Sequence, residues 1–298
     1  MNIKNKILVT FLSLAAVSVI SVAVMEFFSA RNTLLHIFAG QLETLTDIKA
    51  NTIQTFFDAL EDNISIAQDY YNIKTNLPIV NKFSEDRANP DYIKAKEMLD
   101  GQLRKWLEVK EEVSDIMLLN PEGKIVYSAN EEHMKWNPGG RLIDPGGVAF
   151  EEGKKKIFIS RIFLVPNKGY GYKFGLIVAA PVFDFEKRFT GVVAFNIRMD
   201  YIYNIIQDVT GLGKTGETLV VKREGDHALF LNPLRHDPDA ALKRKVIFGD
   251  NVSIPAQEAA IGRTGSGIVK DYRNKEVLAA WRYIPSLGWG IVAKVDLQ

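Results

Sequence analysis

Four histidines, His36, His133, His227 and His236, stand where a metal ligand or a general base would first be sought, and no two lie one helical turn apart. Paired imidazoles at that spacing put two ring nitrogens on one face for a metal; without them no metal site is expected. The chain has no cysteine, which excludes thiol nucleophiles, Cys-ligated clusters and disulfide frameworks. Gly213-Lys214-Thr215 has the ending of a phosphate-binding loop. The glycine required five residues before its Gly-Lys pair is Asp208, and the segment follows an expected helix and opens an expected strand, the reverse of the order such a loop needs. No Gly-x-Ser-x-Gly or His-Glu-x-x-His pattern occurs. Glu131-Glu132 and Glu151-Glu152 are carboxylate pairs in charged surroundings, read as solvated surface. No catalytic residue and no cofactor is expected, and the near-neutral net charge of +1 lacks the Lys/Arg excess of a nucleic-acid partner.

Recognition chemistry is richer in the middle of the chain. Alternate residues of an extended segment share a face, so Ile157, Ile159, Arg161, Phe163 and Val165 form one row, and a pocket seen by Phe163 is also seen by Arg161. A buried guanidinium needs an anionic partner, from the protein or from a ligand. The expectation is that Arg161, with Arg141, fixes the carboxylate of a small organic acid. Tyr127, Trp136, Phe150, Phe163 and Tyr172 would then supply the apolar walls usual in small-molecule sites. A protein carboxylate on Arg161, with the aromatics as plain core, is the alternative.

The elements that must position these residues begin with an anchor. Ile7–Met25 is an uncharged run, about 28 Å long at about 1.5 Å per residue, close to the hydrocarbon thickness of a bilayer. Lys4 and Lys6 before it keep the N-terminus in the cytoplasm. A cleaved signal peptide would have a shorter core and a small-x-small site; Ser21-Val22-Ala23 has that form but lies inside the run. We therefore expect a cytoplasmic tip at 1–6, a transmembrane helix at 7–28 in the inner membrane, and everything beyond it periplasmic. From residue 29 to 76, apolar residues recur at Leu34, Phe38, Leu42, Leu45, Ile48, Ile53, Phe56, Leu60, Ile64, Ala67 and Tyr71, steps mostly of three and four. That is one stripe on a helix of about 60 Å from Ala30 to about Asn72, suited also to a homodimer seam. Leu77-Pro78 is its expected break.

Beyond it, 298 residues with 47% apolar content leave room for two cores. A helix is expected at Asp91–Glu111, then strands at Val113–Leu119, Lys124–Ala129, Ile157–Val165, Tyr172–Phe183 and Gly191–Met199, with a loop at 130–147 and a short helix at Val148–Lys155. Short connections imply an antiparallel sheet. A connecting helix at Tyr201–Val209 leads to a second set: Glu217–Lys222, Ala228–Asn232, a helix at Pro255–Ile261, Gly267–Tyr272, Glu276–Tyr283 and Trp289–Val295. The expected division is 77–200 and 201–298.

This order resembles the double Cache (dCache) sensor family. The resemblance is carried by Ala180-Pro181-Val182-Phe183-Asp184, by Gly191-Val192-Val193-Ala194-Phe195-Asn196-Ile197, by Thr210-Gly211-Leu212-Gly213-Lys214-Thr215-Gly216-Glu217, and by the closing Trp281-Arg282-Tyr283-Ile284-Pro285-Ser286-Leu287-Gly288-Trp289-Gly290. It implies an α+β fold: an N-terminal transmembrane helix continuing into a long stalk helix, followed by two PAS-like antiparallel-sheet domains, membrane-distal and membrane-proximal. It also implies a ligand in the distal domain and a sensing role as the input module of a bacterial receptor. That receptor resembles a sensor histidine kinase, with a chemoreceptor, a cyclase or a dimerisation module as alternatives. In amino-acid-binding members an Asp in the last distal strand accepts bonds from the ligand's ammonium; the matching position here is Asn196. Their Arg-x-Trp-Tyr segment is missing, and Phe163 and Val165 stand where they carry Tyr and Asp, which implies loss of polar contacts to an amino acid.

Overall fold

A computed structural model describes residues 3–137, 140–166, 169 and 171–297. Helix α1 runs uninterrupted over Ile3–Gln68, 66 residues, roughly 100 Å at about 1.5 Å per residue. Ile7, Phe11, Leu14, Val17, Met25 and Phe27 are all more than half exposed, so this end presents apolar side chains on several sides with no protein cover, the surface that a bilayer solvates. From Leu42 one face is buried, through Thr46, Lys49, Ala50, Ile53, Phe57, Leu60, Ile64 and Ala67.

That buried line differs in phase from the sequence stripe. Ile48 is exposed while Lys49 lies inside, and Leu34, Phe38 and Tyr71 are exposed as well. A run of three- and four-residue steps admits neighbouring phases, and the sheets decide which one is covered. The helix also ends at Gln68 rather than at Leu77-Pro78, and Pro78 rides inside α2, Tyr71–Lys82. A straight continuation would carry Ile73, Leu77 and Val80 away from the sheet; after the bend at Asp69-Tyr70 all three are fully buried. Each such burial is worth about 1.5–3 kcal/mol, together enough to outweigh the backbone hydrogen bond that Pro78 forgoes. Helix α3, Pro90–Val109, returns antiparallel; Asn89 Oδ1 caps it by accepting from Asp91 N–H at 3.0 Å, with Pro90 in the first turn.

The distal sheet contains β1 (Val113–Leu119), β2 (Ile125–Ser128), β3 (Phe158–Ile159), β4 (Phe163–Leu164), β5 (Phe174–Phe183) and β6 (Phe189–Arg198). It is antiparallel in the order β2-β1-β6-β5-β3, with β4 also on β5. Its inner face packs on α1, α2 and α3 through Ile116, Leu118, Val193 and Phe195. Its outer face is covered by residues 130–137 and 140–165, which include α4 (Glu131–Trp136), where a loop was expected, and α5 (Val148–Gly153). Helix α6, Met199–Gln207, leads to the proximal sheet: β7 (Glu217–Glu224), β8 (His227–Phe230), β9 (Lys245–Ile247), β10 (Gly265–Lys270), β11 (Glu276–Ile284) and β12 (Trp289–Asp296). Its order is β10-β11-β12-β7-β8-β9, again antiparallel. The stalk lies on one face, and α7, Ile254–Ala260, on the other.

Named contacts tie the stalk to α6 and to the proximal sheet. Lys49 Nζ donates to the carbonyls of Ile205, Ile206 and Asp208 at 3.0, 3.3 and 2.7 Å, closing the C-terminal end of α6, whose last carbonyls have no helical partner. Burial holds the Lys49 pKa below its ordinary value, with Asp208 opposing. Arg282 of β11 pairs with Asp47 at 2.5 Å and with Glu43 at 3.5 Å.

Candidate functional site

The outer face of the distal sheet brings together side chains of several strands. Asp115, Met117 and Leu119 alternate along β1; Val192, Ala194 and Asn196 along β6; Ile177 and Ala179 lie on β5. The cover lays Ala149, Phe150, Phe163, Val165 and Tyr172 over them. Two glycines mark how close the approach is. A Cβ on Gly153 would stand 2.5 Å from Ala179 Cβ, and one on Gly123, at φ +78°, would stand 2.9 Å from the Phe150 ring.

Polar groups gather at one end of this face. Asp115 and Asn196 sit directly opposite each other on β1 and β6, each 1% exposed. The Asp115 carboxylate accepts from Ser128 Oγ at 2.7 Å and from Asn130 N–H at 2.9 Å, with His133 Nδ1 at 3.5 Å. Ser114 Oγ lies 3.0 Å from Tyr172 Oη and 2.9 Å from the Asn196 carbonyl. Asn196 Oδ1 is buried and has no hydrogen-bond partner among the described residues, a state that costs about 1–3 kcal/mol unless something donates to it. At the edge of the cover Asp144 Oδ2 accepts from Ala149 N–H at 2.9 Å, while its Oδ1 is buried without a hydrogen-bond partner among the described residues. Burial pushes the Asp144 carboxyl above its ordinary range, against backbone hydrogen bonds that lower it.

Of the residues singled out in the sequence, Phe150, Phe163, Tyr172 and Asn196 come together here. Tyr127 does not: it shares the inner face with Leu118, and its hydroxyl donates to Asp100 Oδ1 at 2.9 Å. Arg141 is exposed and donates to the Glu122 carbonyl at 3.2 Å. The Trp136 side chain lies outside the described residues. Arg161 is exposed and not on the Phe163 face. The expected strand Ile157–Val165 is broken at Ser160, whose N–H bonds Ile177 O at 2.8 Å while its Oγ accepts from Ile177 N–H at 2.9 Å. The side chain thus takes the place of the Ser160 carbonyl in the ladder. The chain then leaves the pleat, and Ile162 turns to the inner core while Phe163 joins the outer one. Alternation does not survive such a break.

Asp115, Ser128 and Asn130 were not singled out in the sequence, and His133 was weighed there only as one of four histidines. Asp115 was legible: it occupies the otherwise apolar phase of Met117 and Leu119. The others needed the pairing of β2 with β1.

Known proteins share this architecture. Residues 30–298 match the Cache domain family dCache_1. No curated protein sequence matches the chain. Among solved structures, an extracellular ligand binding receptor from Desulfohalobium retbaense DSM5692 is 15% identical with TM-score 0.54; the alignment covers 86% of this chain and 40% of that one. The extracellular domain of the putative histidine kinase soHK1S-Z6 is 14% identical with TM-score 0.58, covering 91% of this chain and 97% of that one. The ligand-binding domain of the Pseudomonas fluorescens chemoreceptor CtaA, solved in complex with L-isoleucine, is 14% identical with TM-score 0.53, covering 91% and 97%. At these identities the likeness is one of fold.

Proposed function

The chain belongs to the Cache domain family, in its dCache_1 form, and from that premise we propose that it is the membrane-anchored, extracytoplasmic input module of a transmembrane receptor, of the sensor histidine kinase type. Residues 7–28 of α1 serve as the anchor in the inner membrane, the rest of α1 to Gln68 as the stalk, the distal sheet as the sensing domain and the proximal sheet as the link to the membrane. The uncovered apolar end of α1 supports the anchor. Exposed Leu34, Phe38 and Ile48 on the stalk support a homodimer seam along it.

The site is the outer face of the distal sheet, and the observation that carries it is the unpartnered, buried Asn196 Oδ1 opposite the Asp115 carboxylate. An acceptor beside a buried carboxylate favours a ligand that donates, an amine or ammonium. Phe150, Phe163 and Tyr172 supply apolar surface for its remainder. This departs from the organic acid read from the sequence, because Arg161 and Arg141 are not on this face. Ligand binding would favour one arrangement of cover and stalk, by no more than its differential affinity for the two, and a shift of α1 of about 1–2 Å would carry it inward.

The test is a thermal-shift and calorimetric screen of the full chain in detergent with amines, amino acids and short carboxylic acids. Amine-bearing compounds raise Tm, and Asn196→Leu abolishes the rise. A response to acids alone, or one unchanged in Asn196→Leu, removes this reading. Recovery of the chain in the soluble fraction after alkaline washing of membranes removes the anchor.

A further inference from the structure

Between the two sheets lies a cleft that the outer-face site does not use. It holds about 720 Å³, walled by Phe57 and Glu61 of α1, Val148 of α5, Ile162, and Trp289 of β12. A smaller hollow of about 340 Å³ shares part of its wall and extends to Asp144. Two cationic side chains line both volumes: Arg161, turned out of the distal sheet by the break at Ser160, and Lys222 of proximal β7. Neither has a hydrogen-bond or ion-pair partner among the described residues. The acid nearest in influence on Lys222, Glu224, is taken by Lys245 at 2.5 Å. Lys222 is half-buried, and burial first, then the charge of Arg161, hold its pKa below the ordinary lysine value.

Two like charges thus converge from two domains, one of them partly stripped of water, and among the described residues no carboxylate forms an ion pair with either, Glu224 acting on both only at longer range. We propose that this inter-domain cleft binds a small organic anion, its carboxylate or phosphate head between Arg161 and Lys222 and its apolar body against Val148, Ile162 and Leu242. The guanidinium offers a planar fork for two oxygens, and the ammonium a point charge opposite. Asp58, Glu61 and Glu152 on the larger volume, with Asp144 and Glu224 on the smaller one, give the cleft an acidic rim. That rim disfavours large polyanions and selects a ligand with one or two acidic groups. Because its two cations belong to different domains, an occupied cleft clamps the distal domain to the proximal one, independently of what fills the outer face.

The experiment is isothermal titration calorimetry of the full chain in detergent with inorganic phosphate, succinate and hexanoate as probes. At least one probe binds saturably. Arg161→Gln and Lys222→Met each weaken it by about tenfold or more, as expected for loss of one charged partner, while Asn196→Leu leaves it unchanged. Arg161 is exposed, so its variant tests binding without risk to the fold. Absence of saturable heat with all three probes overturns the site. So does binding that survives both cation substitutions. Binding lost in Asn196→Leu assigns the anion to the outer face and overturns it equally.

Discussion

The two sheets place their first strand against their last, β1 on β6 and β7 on β12, and each carries a polar pair across that junction on its outer face. In the proximal sheet the pair is Glu217 opposite Lys294. Lys294, 1% exposed, lies 2.8 Å from both Glu217 and Asp271. Tyr272 Oη donates to Glu217, at 2.9 Å from each oxygen, and Arg273 joins Asp271 at 2.6 Å and also pairs with Asp296. In the distal sheet the pair is Asp115 opposite Asn196; the carboxylate meets neutral donors and His133, and the amide oxygen has no hydrogen-bond partner among the described residues. The same proximal face also leaves Trp281 Nε1 unmatched among the described residues, but its buried charges are closed on one another. One architecture therefore supports two uses of a buried polar pair. Closed, it fixes a single packing; open, it leaves a place for a donor from outside.

The sharpest way to break this comparison is Lys294→Met. It leaves Glu217 buried without its cation and Asp271 with Arg273 alone, and the expected cost is about 3–5 kcal/mol, read by denaturant unfolding. A cost below about 1 kcal/mol would show that the proximal cluster is not closed as described. Asn196→Asp attacks the distal side by setting two carboxylates directly opposite each other. The expected loss is about 1–3 kcal/mol at neutral pH. It is recovered on acidification, because a carboxyl raised by burial and a like charge is stable in its protonated form. Asn196→Leu removes the orphan acceptor, so stability is unchanged or raised by up to about 1 kcal/mol while any amine-dependent rise in Tm disappears.

The smallest effect is regional and pH-dependent. Burial works to raise Asp271, but Lys294 and Arg273 win and hold it below its ordinary range. Its contribution is complete above the ordinary Asp value of about 3.9 and is lost as pH falls through the lower folded value. Asp144 is raised, so its contribution has the opposite sign: complete below about 3.9 and lost as pH rises through the higher folded value. Between pH 7 and about 4, hydrogen-exchange protection, corrected for the intrinsic pH dependence of amide exchange, should rise a few-fold in the cover near Ala149 while that of the proximal sheet stays level, and the proximal sheet should lose protection only below that. Parallel behaviour of the two regions would contradict the assignment.

Much of the fold was legible in the chain itself. Strand β1 falls at Val113–Leu119 as its alternation and flanking turn require, and the later expected strands, apart from the broken Ile157–Val165, keep their order with ends shifted by at most two residues. The resemblance carried by residues 180–197 and 210–217 led to the family. Asn196 was found through that resemblance, and its neighbour Asp115 stood in plain view in an apolar phase. The features that were missed share a cause. The bend at Asp69-Tyr70, strand β9, helix α4 and the break at Ser160 each depend on a partner distant in sequence: a sheet edge that rewards a turn, a neighbouring strand, or one hydroxyl replacing a carbonyl.

The sequence alone determined the uncovered apolar helix, the long stalk, the two sets of strands and the absence of thiol chemistry, because hydrophobic period and composition act locally and need no partner. Only the tertiary structure decided which stalk residues are buried, that Tyr127 turns from the outer face, and that Arg161 leaves that face to meet Lys222 across a cleft. Those outcomes are set by which surfaces touch, and a side chain's surroundings are fixed by the elements that pack around it rather than by its place in the row.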